Sequence, residues 1–301
     1  MPMKTMLQIF PIKLQQLGDY VSADGEMSEN EITPSNRWKM VIAFKDTELS
    51  MTPDQTNDYV YMDEYVNYIV NTLDNSTTST GFQDYNLDNE PAIWSGTHTR
   101  IHPQQTTRDE IISKSIEYAK AVKSIDPYAE IYGGVLFGFG AYSSLNNAPD
   151  WTEKYSKDYD WFISCFLDKM AEAERNNGQR LIDVLDIHYY PEAKGQDIAT
   201  ECTDYTHTDC IEARLQSPRT LYDGTYIENN WIGNYNQQYM PIIPNIQNST
   251  DTCYPNTKLS FTEYNFGGEN HISGAVAEAD TLGVFARHRK SYDIFFYQRK
   301  R

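Results

Sequence analysis

The chain has 301 residues and a formal net charge of −18, from 43 Asp plus Glu against 25 Lys plus Arg, so no basic stripe can be assembled to track nucleic-acid phosphates. At 40% hydrophobic, 13% aromatic and 23% charged residues, it carries enough apolar material for a sizeable core and is not a disordered acidic tail. No apolar run approaches the ~20 residues of a spanning helix, and the opening MPMKTMLQIFPIKLQQLG lacks a small-residue cleavage site.

From Pro11 onward short apolar runs alternate with helical patterns, the sign of repeated strand-helix units around a parallel sheet. Pro11 to Leu17 predicts a strand, followed by a polar loop through Asp24, Glu26, Glu29, Glu31 and Asp46 with a short element at Trp38 to Phe44. Met62, Tyr65, Val66, Ile69, Val70 and Leu73 fall on one face of an amphipathic helix. Tyr85 to Glu90 predicts the second strand. Thr107 and Glu110 make a capping box before Ile111, Ile112, Ile116, Ala119 and Val122, and Asp126-Pro127 stops that helix.

Ala129 to Val135 predicts the third strand, and Trp161 to Ala173, closed by Gly178, its helix. Val184 to Tyr189 is the fourth strand. A long, polar, Tyr- and Pro-rich stretch from Lys194 to Asn256 precedes the fifth, Lys258 to Glu263, and Ala275 to Ala286 starts another helix. No composition shift marks an internal domain boundary. The cysteines Cys165, Cys202, Cys210 and Cys253 contain no CxxC pair, which argues against a zinc ribbon or a thioredoxin-like motif; Cys202 and Cys210 either close a short disulfide or stay free thiols, according to compartment. The 23 Tyr, 5 Trp and 12 Phe on an acidic background suit stacking on sugars as well as an aromatic core.

In strand-helix barrels the reactive side chains sit where strands end and loops begin. Here the second strand closes on Asp88-Asn89-Glu90-Pro91, the fourth on His188-Tyr189-Tyr190-Pro191-Glu192, and the fifth on Thr262-Glu263-Tyr264. Retaining cleavage of a glycosidic bond needs a carboxylic acid and a second, nucleophilic carboxylate ~5 to 5.5 Å apart. Glu90 and Glu263 on two strand ends of one rim suit those roles. Asn89 is placed to hold a sugar 2-hydroxyl, and Pro91 to turn the chain so that Glu90 points inward. His188 and Tyr190 would project into the same mouth, where a tyrosine hydroxyl keeps the nucleophile ionised. Taken singly, a solvated loop carboxylate at Glu90, a water-facing charge at Glu263 and a satisfied core His188 are the alternatives.

His98 and His102 have the i, i+4 spacing of metal ligands, but Pro103 and the absence of periodicity place them off a helix, and no Glu lies between them. Asp54, Asp58 and Asp63 offer hard oxygens of the kind that bind calcium; carboxylates placed to favour a helix start are the simpler alternative.

These residues resemble glycoside hydrolase family 44, the endo-acting β-glucanases and xyloglucanases. The likeness runs through Leu17 to Asp24, Pro34 to Trp38, Asp58 to Glu64, Leu87 to Trp94 with Thr97-His98 and Arg100 to Pro103, Asp183 to Ala193, Thr262 to Tyr264 and Asn270 to Gly274. It implies an α/β fold of the (β/α)8 TIM-barrel type with an accessory β-sandwich, and retaining cleavage of β-1,4-glucan. It also implies Glu90 as acid/base and Glu263 as nucleophile. Its aromatic subsites map onto Trp231 and onto Tyr235, where a second tryptophan is usual. Tyr264, which follows the nucleophile, is a further substrate-binding candidate. Trp94 beside the acid/base is a further stacking candidate, with a rim residue packed under the loop as the alternative.

The resemblance further implies a structural calcium, for which Asp58 and Asp63 are the candidates, and no required cofactor. The implied partner is a β-glucan polysaccharide or oligosaccharide, met by a secreted monomer without nucleic acid or membrane. By the family pattern the five strands correspond to the third through the seventh, so the barrel is expected to be incomplete and the sandwich missing. The Met1 to Phe10 opening and the Arg287 to Arg301 tail diverge from the family. A catalytically inactive fragment with residual carbohydrate binding is the alternative to an active glycosidase.

Overall fold

A computed structural model describes residues 12–14, 19–23, 25–151 and 156–288. The divergent Met1 to Phe10 opening and most of the Arg287 to Arg301 tail lie outside the described residues, as do Pro11 and Gln15 to Leu17 of the predicted first strand. The chain divides into two compact units, Met1–Asp186 and Ile187–Arg301.

The first unit carries strands β1 (Ile12–Leu14), β5 (Asp84–Leu87) and β6 (Glu130–Leu136), and the opening half of β7 (Val184–Tyr189), neighbours in that order. β1 pairs in parallel with β5, Ile12 opposite Tyr85 and Leu14 opposite Leu87, and β5 in parallel with β6, Tyr85 opposite Ile131. From Ile131 onward every residue of β6 is buried, as are all six of β7, as expected of strands covered on both faces. At Gly133 an added Cβ would stand 2.7 Å from Ile182 Cδ1, so a larger residue there would displace the end of that side chain. Asn86 and Asp186, both fully buried, satisfy each other through a 2.7 Å hydrogen bond.

A second sheet, not read from the sequence beyond the Trp38 to Phe44 element, joins β2 (Tyr20–Ser22), β3 (Trp38–Ile42) and β4 (Tyr59–Tyr61). Helix α1 spans Met62–Leu73, the predicted range. Its buried face holds Met62, Val66 and Ile69, whereas Tyr65 and Leu73 are exposed. That is a correction to the predicted stripe: Tyr65 and Tyr68 line a cavity of about 770 Å³ beside β4 instead of entering the core.

The short helix α2 (Trp94–Thr97) precedes α3 (Arg108–Ile125). Thr107 caps α3 by accepting the Glu110 N–H at 3.1 Å, and the Asp150 carboxylate accepts the N–H groups of Arg108 and Asp109 at 2.8 and 2.9 Å. Three of the four orphan donors of that helix start are thereby satisfied. Helix α4 (Phe139–Ser144) and α5 (Phe162–Asn177) follow, the latter ending on Gly178 at φ 75°.

The second unit opens with the remainder of β7 and holds α6 (Thr208–Gln216), α7 (Trp231–Tyr235), α8 (Ile242–Cys253), β8 (Lys258–Tyr264) and α9 (Ile272–Arg287). Here β8 neighbours β7, and the Asn265 N–H donates to Tyr189 O at 3.3 Å. The Lys194 to Asn256 stretch therefore contains three helices that the sequence pattern does not announce. α6 and α7 are too short, at 9 and 5 residues, to establish a period. α6 is organised around a polar residue, the fully buried Arg214.

Candidate active site

In the first unit β5 ends at Leu87, not at Glu90 as the sequence suggests. Asp88 and Glu90 both take left-handed backbone angles, φ 66° and 48°, an uncommon state for non-glycine residues that lifts Glu90 out of the strand. Pro91 then starts a 3-10 turn through Ile93. The Glu90 N–H donates to Val135 O at 3.1 Å, and Val135 is itself at φ 45°. Asp88 Oδ1 accepts the Asn89 N–H at 2.7 Å. Glu90 and Asn89 stay partly exposed.

Trp94 is 2% exposed and donates its indole N–H to Asn89 O at 2.9 Å. This corrects its assignment as a stacking platform: a ring packed under the loop offers no face to a sugar. His98 is the residue that ends α2, and His102 turns to Glu110, Nε2 to Oε1 at 2.9 Å. Asp19, His102 and Glu110 gather side-chain ligand atoms within 4.8 Å, but a cation already sits among them. Lys114 Nζ is 2.7 Å from Glu110 and 3.3 Å from Asp19.

Burial opposes the charge of Glu110, yet hydrogen bonds from His102 and Lys114 outweigh it and bring the carboxyl down to about 2. For His102 burial likewise opposes ionisation, and the Glu110 and Asp19 carboxylates overcome it and raise the imidazole.

In the second unit Tyr190 follows the end of β7 and donates its hydroxyl to Glu263 Oε2 at 3.1 Å. His188 Nδ1 lies 3.8 Å from the same oxygen. With no exposed surface, His188 supports the Glu263 carboxylate from beneath and cannot touch a substrate, a correction to its assignment as a binding residue. Tyr264 is corrected likewise: it is 4% exposed, and its hydroxyl donates to Glu278 Oε1 at 2.6 Å. Trp231 and Tyr235, at the two ends of α7, are 41% and 79% exposed.

Trp231 is held by contacts that sequence reading missed. Its indole N–H donates to Glu192 Oε2 at 2.6 Å. Asn230 caps α7 by accepting the Gly233 N–H at 2.8 Å, and is itself held by Glu228 Oε1 at 2.6 Å. Glu228 also accepts the Glu192 N–H at 3.0 Å and pairs with the Thr220 hydroxyl. Burial pushes the Glu228 carboxyl up to about 7, with the Glu192 charge adding to the rise and the hydrogen bonds opposing it. An Asn immediately before an aromatic residue, readable as a helix cap, was the available signal.

The calcium candidates do not fit. Asp58 is exposed, whereas both oxygens of Asp63 accept backbone N–H groups, from Lys45 at 2.9 Å and Glu64 at 2.7 Å. The neighbouring cation is Lys45, 2.5 Å from Glu64. Asp54 closes a local turn onto Thr56. Among the described residues the acidic clusters with metal-like spacing include none of the three. All four cysteines are thiols, with Cys165, Cys202 and Cys210 buried.

Comparison with known proteins bears on this arrangement. The sequence model of glycoside hydrolase family 44 matches residues 12–193. An endoglucanase A of Paenibacillus lautus is 48% identical over 281 residues, 93% of this chain and 40% of that protein. A β-mannanase/endoglucanase A of Caldicellulosiruptor saccharolyticus is 46% identical over 288 residues, 91% of this chain and 22% of that one. The chain therefore spans well under half the length of these relatives. Among solved structures, a family 44 endoglucanase from Clostridium thermocellum superposes with a TM-score of 0.88 at 51% identity, over 92% of this chain and 55% of the other. A family 44 xyloglucanase of Paenibacillus polymyxa, solved with xyloglucan, gives 0.90 at 41% identity, over 96% and 56%.

Proposed function

Because the chain belongs to glycoside hydrolase family 44, we propose that it is the catalytic portion of a retaining endo-β-1,4-glucanase or xyloglucanase, with Glu263 as nucleophile and Glu90 as acid/base. The observation that supports this most is the setting of Glu263. A tyrosine hydroxyl donates to one of its oxygens, beside a buried imidazole 3.8 Å from that oxygen, and the hydroxyl's hydrogen bond stabilises the ionised form that a nucleophile requires. On the other side of the reaction, Glu90 leaves its strand through a strained loop, the kind of backbone state that clusters at catalytic positions.

In this reading Glu263 attacks the anomeric carbon while Glu90 protonates the departing glycosidic oxygen, which leaves a glycosyl-enzyme ester. Glu90, now a carboxylate, deprotonates water, which displaces Glu263 with net retention. The two carboxyl groups must then stand ~5 to 5.5 Å apart across one sugar. Asn89 binds the 2-hydroxyl, and Trp231 and Tyr235 stack on neighbouring glucosyl units. The substrate is a soluble β-glucan or xyloglucan. The strands are the third through seventh of a (β/α)8 barrel, and the protein acts outside the cell as a monomer without a required cofactor.

Incubation with a 2-fluoro-cellobiosyl or 2-fluoro-cellotriosyl donor, followed by peptide mass mapping, tests the assignment. A covalent glycosyl group on Glu263 supports it. Labelling elsewhere, or an inverted product by NMR, overturns it. Reducing-end release from xyloglucan and carboxymethyl cellulose distinguishes cleavage from binding alone.

A further inference from the structure

The loop that carries Glu90 is held against its own preference. Left-handed angles at Asp88 and Glu90 are disfavoured for residues with a Cβ. Two of the contacts that keep them there are local or between backbones: Asp88 Oδ1 to the Asn89 N–H, and the Glu90 N–H to Val135 O. A third comes from a side chain further along the chain, the Trp94 indole N–H on the Asn89 carbonyl at 2.9 Å.

Trp94 is in turn fixed from α3 and from the loop before it. The His102 ring meets the indole edge-on, centroids 5.3 Å apart and planes at 66°, and Lys114 Nζ lies 5.0 Å from the indole centroid. His102 is tied to Glu110, Glu110 to Lys114, and Lys114 to Asp19. Glu110 and Lys114 are one helical turn apart on α3, whose start is capped three times over. The cluster therefore rests on a rigid element, and its two carboxylates face two basic side chains.

We propose that Trp94 is a positioning residue for the acid/base. The Asp19–Lys114–Glu110–His102 cluster locks the indole so that its N–H pins the Asn89 carbonyl and thereby aims the Glu90 carboxyl. This rests on the assignment of Glu90 made above. Without the indole donor, the peptide between Asn89 and Glu90 rotates to relieve its left-handed angles and carries the carboxyl away from the glycosidic oxygen. A displacement of about 1 Å at a reacting group costs up to roughly a hundredfold in rate. Mere stabilisation of the fold would change all substrates alike, whereas aiming the acid matters only when the leaving group needs a proton.

The test compares kcat/KM for phenyl and 2,4-dinitrophenyl β-cellotriosides in the full chain and in Trp94→Phe, which keeps an aromatic ring but deletes the N–H. The phenyl substrate should lose about tenfold or more and the dinitrophenyl substrate no more than about twofold, with KM unchanged. Glu110→Gln should give a smaller split in the same direction, and decides the matter if Trp94→Phe does not fold. Equal losses on both substrates, or none, overturn the inference. Glu90→Ala sets the limiting split. If Glu90→Ala shows no split, the acid/base assignment fails and takes this inference with it. A split in Glu90→Ala without one in Trp94→Phe overturns the inference alone.

Discussion

The Tyr190 hydroxyl donates to Glu263 Oε2 at 3.1 Å, from a residue just past the end of β7 to one near the end of β8. A hydrogen bond to the ionised carboxylate favours that form. Tyr190→Phe should therefore lower kcat/KM about tenfold and move the acid limb of its pH profile to higher pH, an effect typical in size of one lost charge-assisted hydrogen bond. Tyr190 is 37% exposed, so thermal stability should change little. An unaltered acid limb would remove Tyr190 from the mechanism.

Trp231 is 41% exposed and its N–H is held by Glu192, so the proposed function makes it a stacking residue for the substrate. Trp231→Ala should raise KM for xyloglucan by about tenfold and leave kcat within about threefold, since stacking far from the scissile bond binds ground and transition states alike. Affinity electrophoresis in a xyloglucan gel reads the same loss without catalysis. Retardation equal to that of the unmodified protein would count against the platform.

Glu228 links pH to stability. Its carboxyl is raised in the folded protein from 4.5 to about 7, chiefly by burial. The unfolded chain therefore holds fewer protons than the folded one between those values, and stability falls as pH rises from 4.5 to about 7, then levels off. The contribution over that window is about 3 kcal/mol. Glu228→Gln can donate to Thr220 and still accept from Asn230 and the Glu192 N–H, and removes the slope. Urea unfolding at pH 5 and pH 8 should show the variant gaining on the parent as pH rises. Parallel losses in both proteins would refute this origin.

Arg214 is fully buried and donates to four neutral oxygens: Ala199 O, Cys202 O, Phe266 O and Ser273 Oγ, at 2.5 to 3.1 Å. Gly268 packs so closely on the guanidinium that an added Cβ would stand 2.9 Å from it. Arg214→Met should destabilise the protein by at least about 3 kcal/mol, because four buried acceptors lose their donors together. Arg214→Lys should recover only part, since an ammonium cannot reproduce the planar fork. A midpoint of denaturation within error of the parent in Arg214→Met would contradict the role.

Part of the regular structure was legible from local chemistry. The α1 range, the Thr107 cap, the Gly178 stop and β7 all rest on interactions within a few residues, where periodicity and capping rules operate. Glu90 and Glu263 stand out in the sequence because the tripeptides around them lie where strands are expected to end. Side-chain exposure was not legible: the same spacing that marks α1 put Tyr65 in the core, although it lines a cavity.

What the sequence determined by itself was the family and the chain order of β1, β5, β6, β7 and β8, and it singled out Glu90 and Glu263 as candidates, all from residues adjacent in the chain. Only the tertiary structure decided that Trp94, His188 and Tyr264 are buried while Trp231 and Tyr235 are exposed. It alone revealed the Lys114 and Glu228 clusters, whose members lie up to 95 and 36 residues from their partners. Burial and desolvation depend on what packs from distant parts of the chain, and no local pattern carries that information.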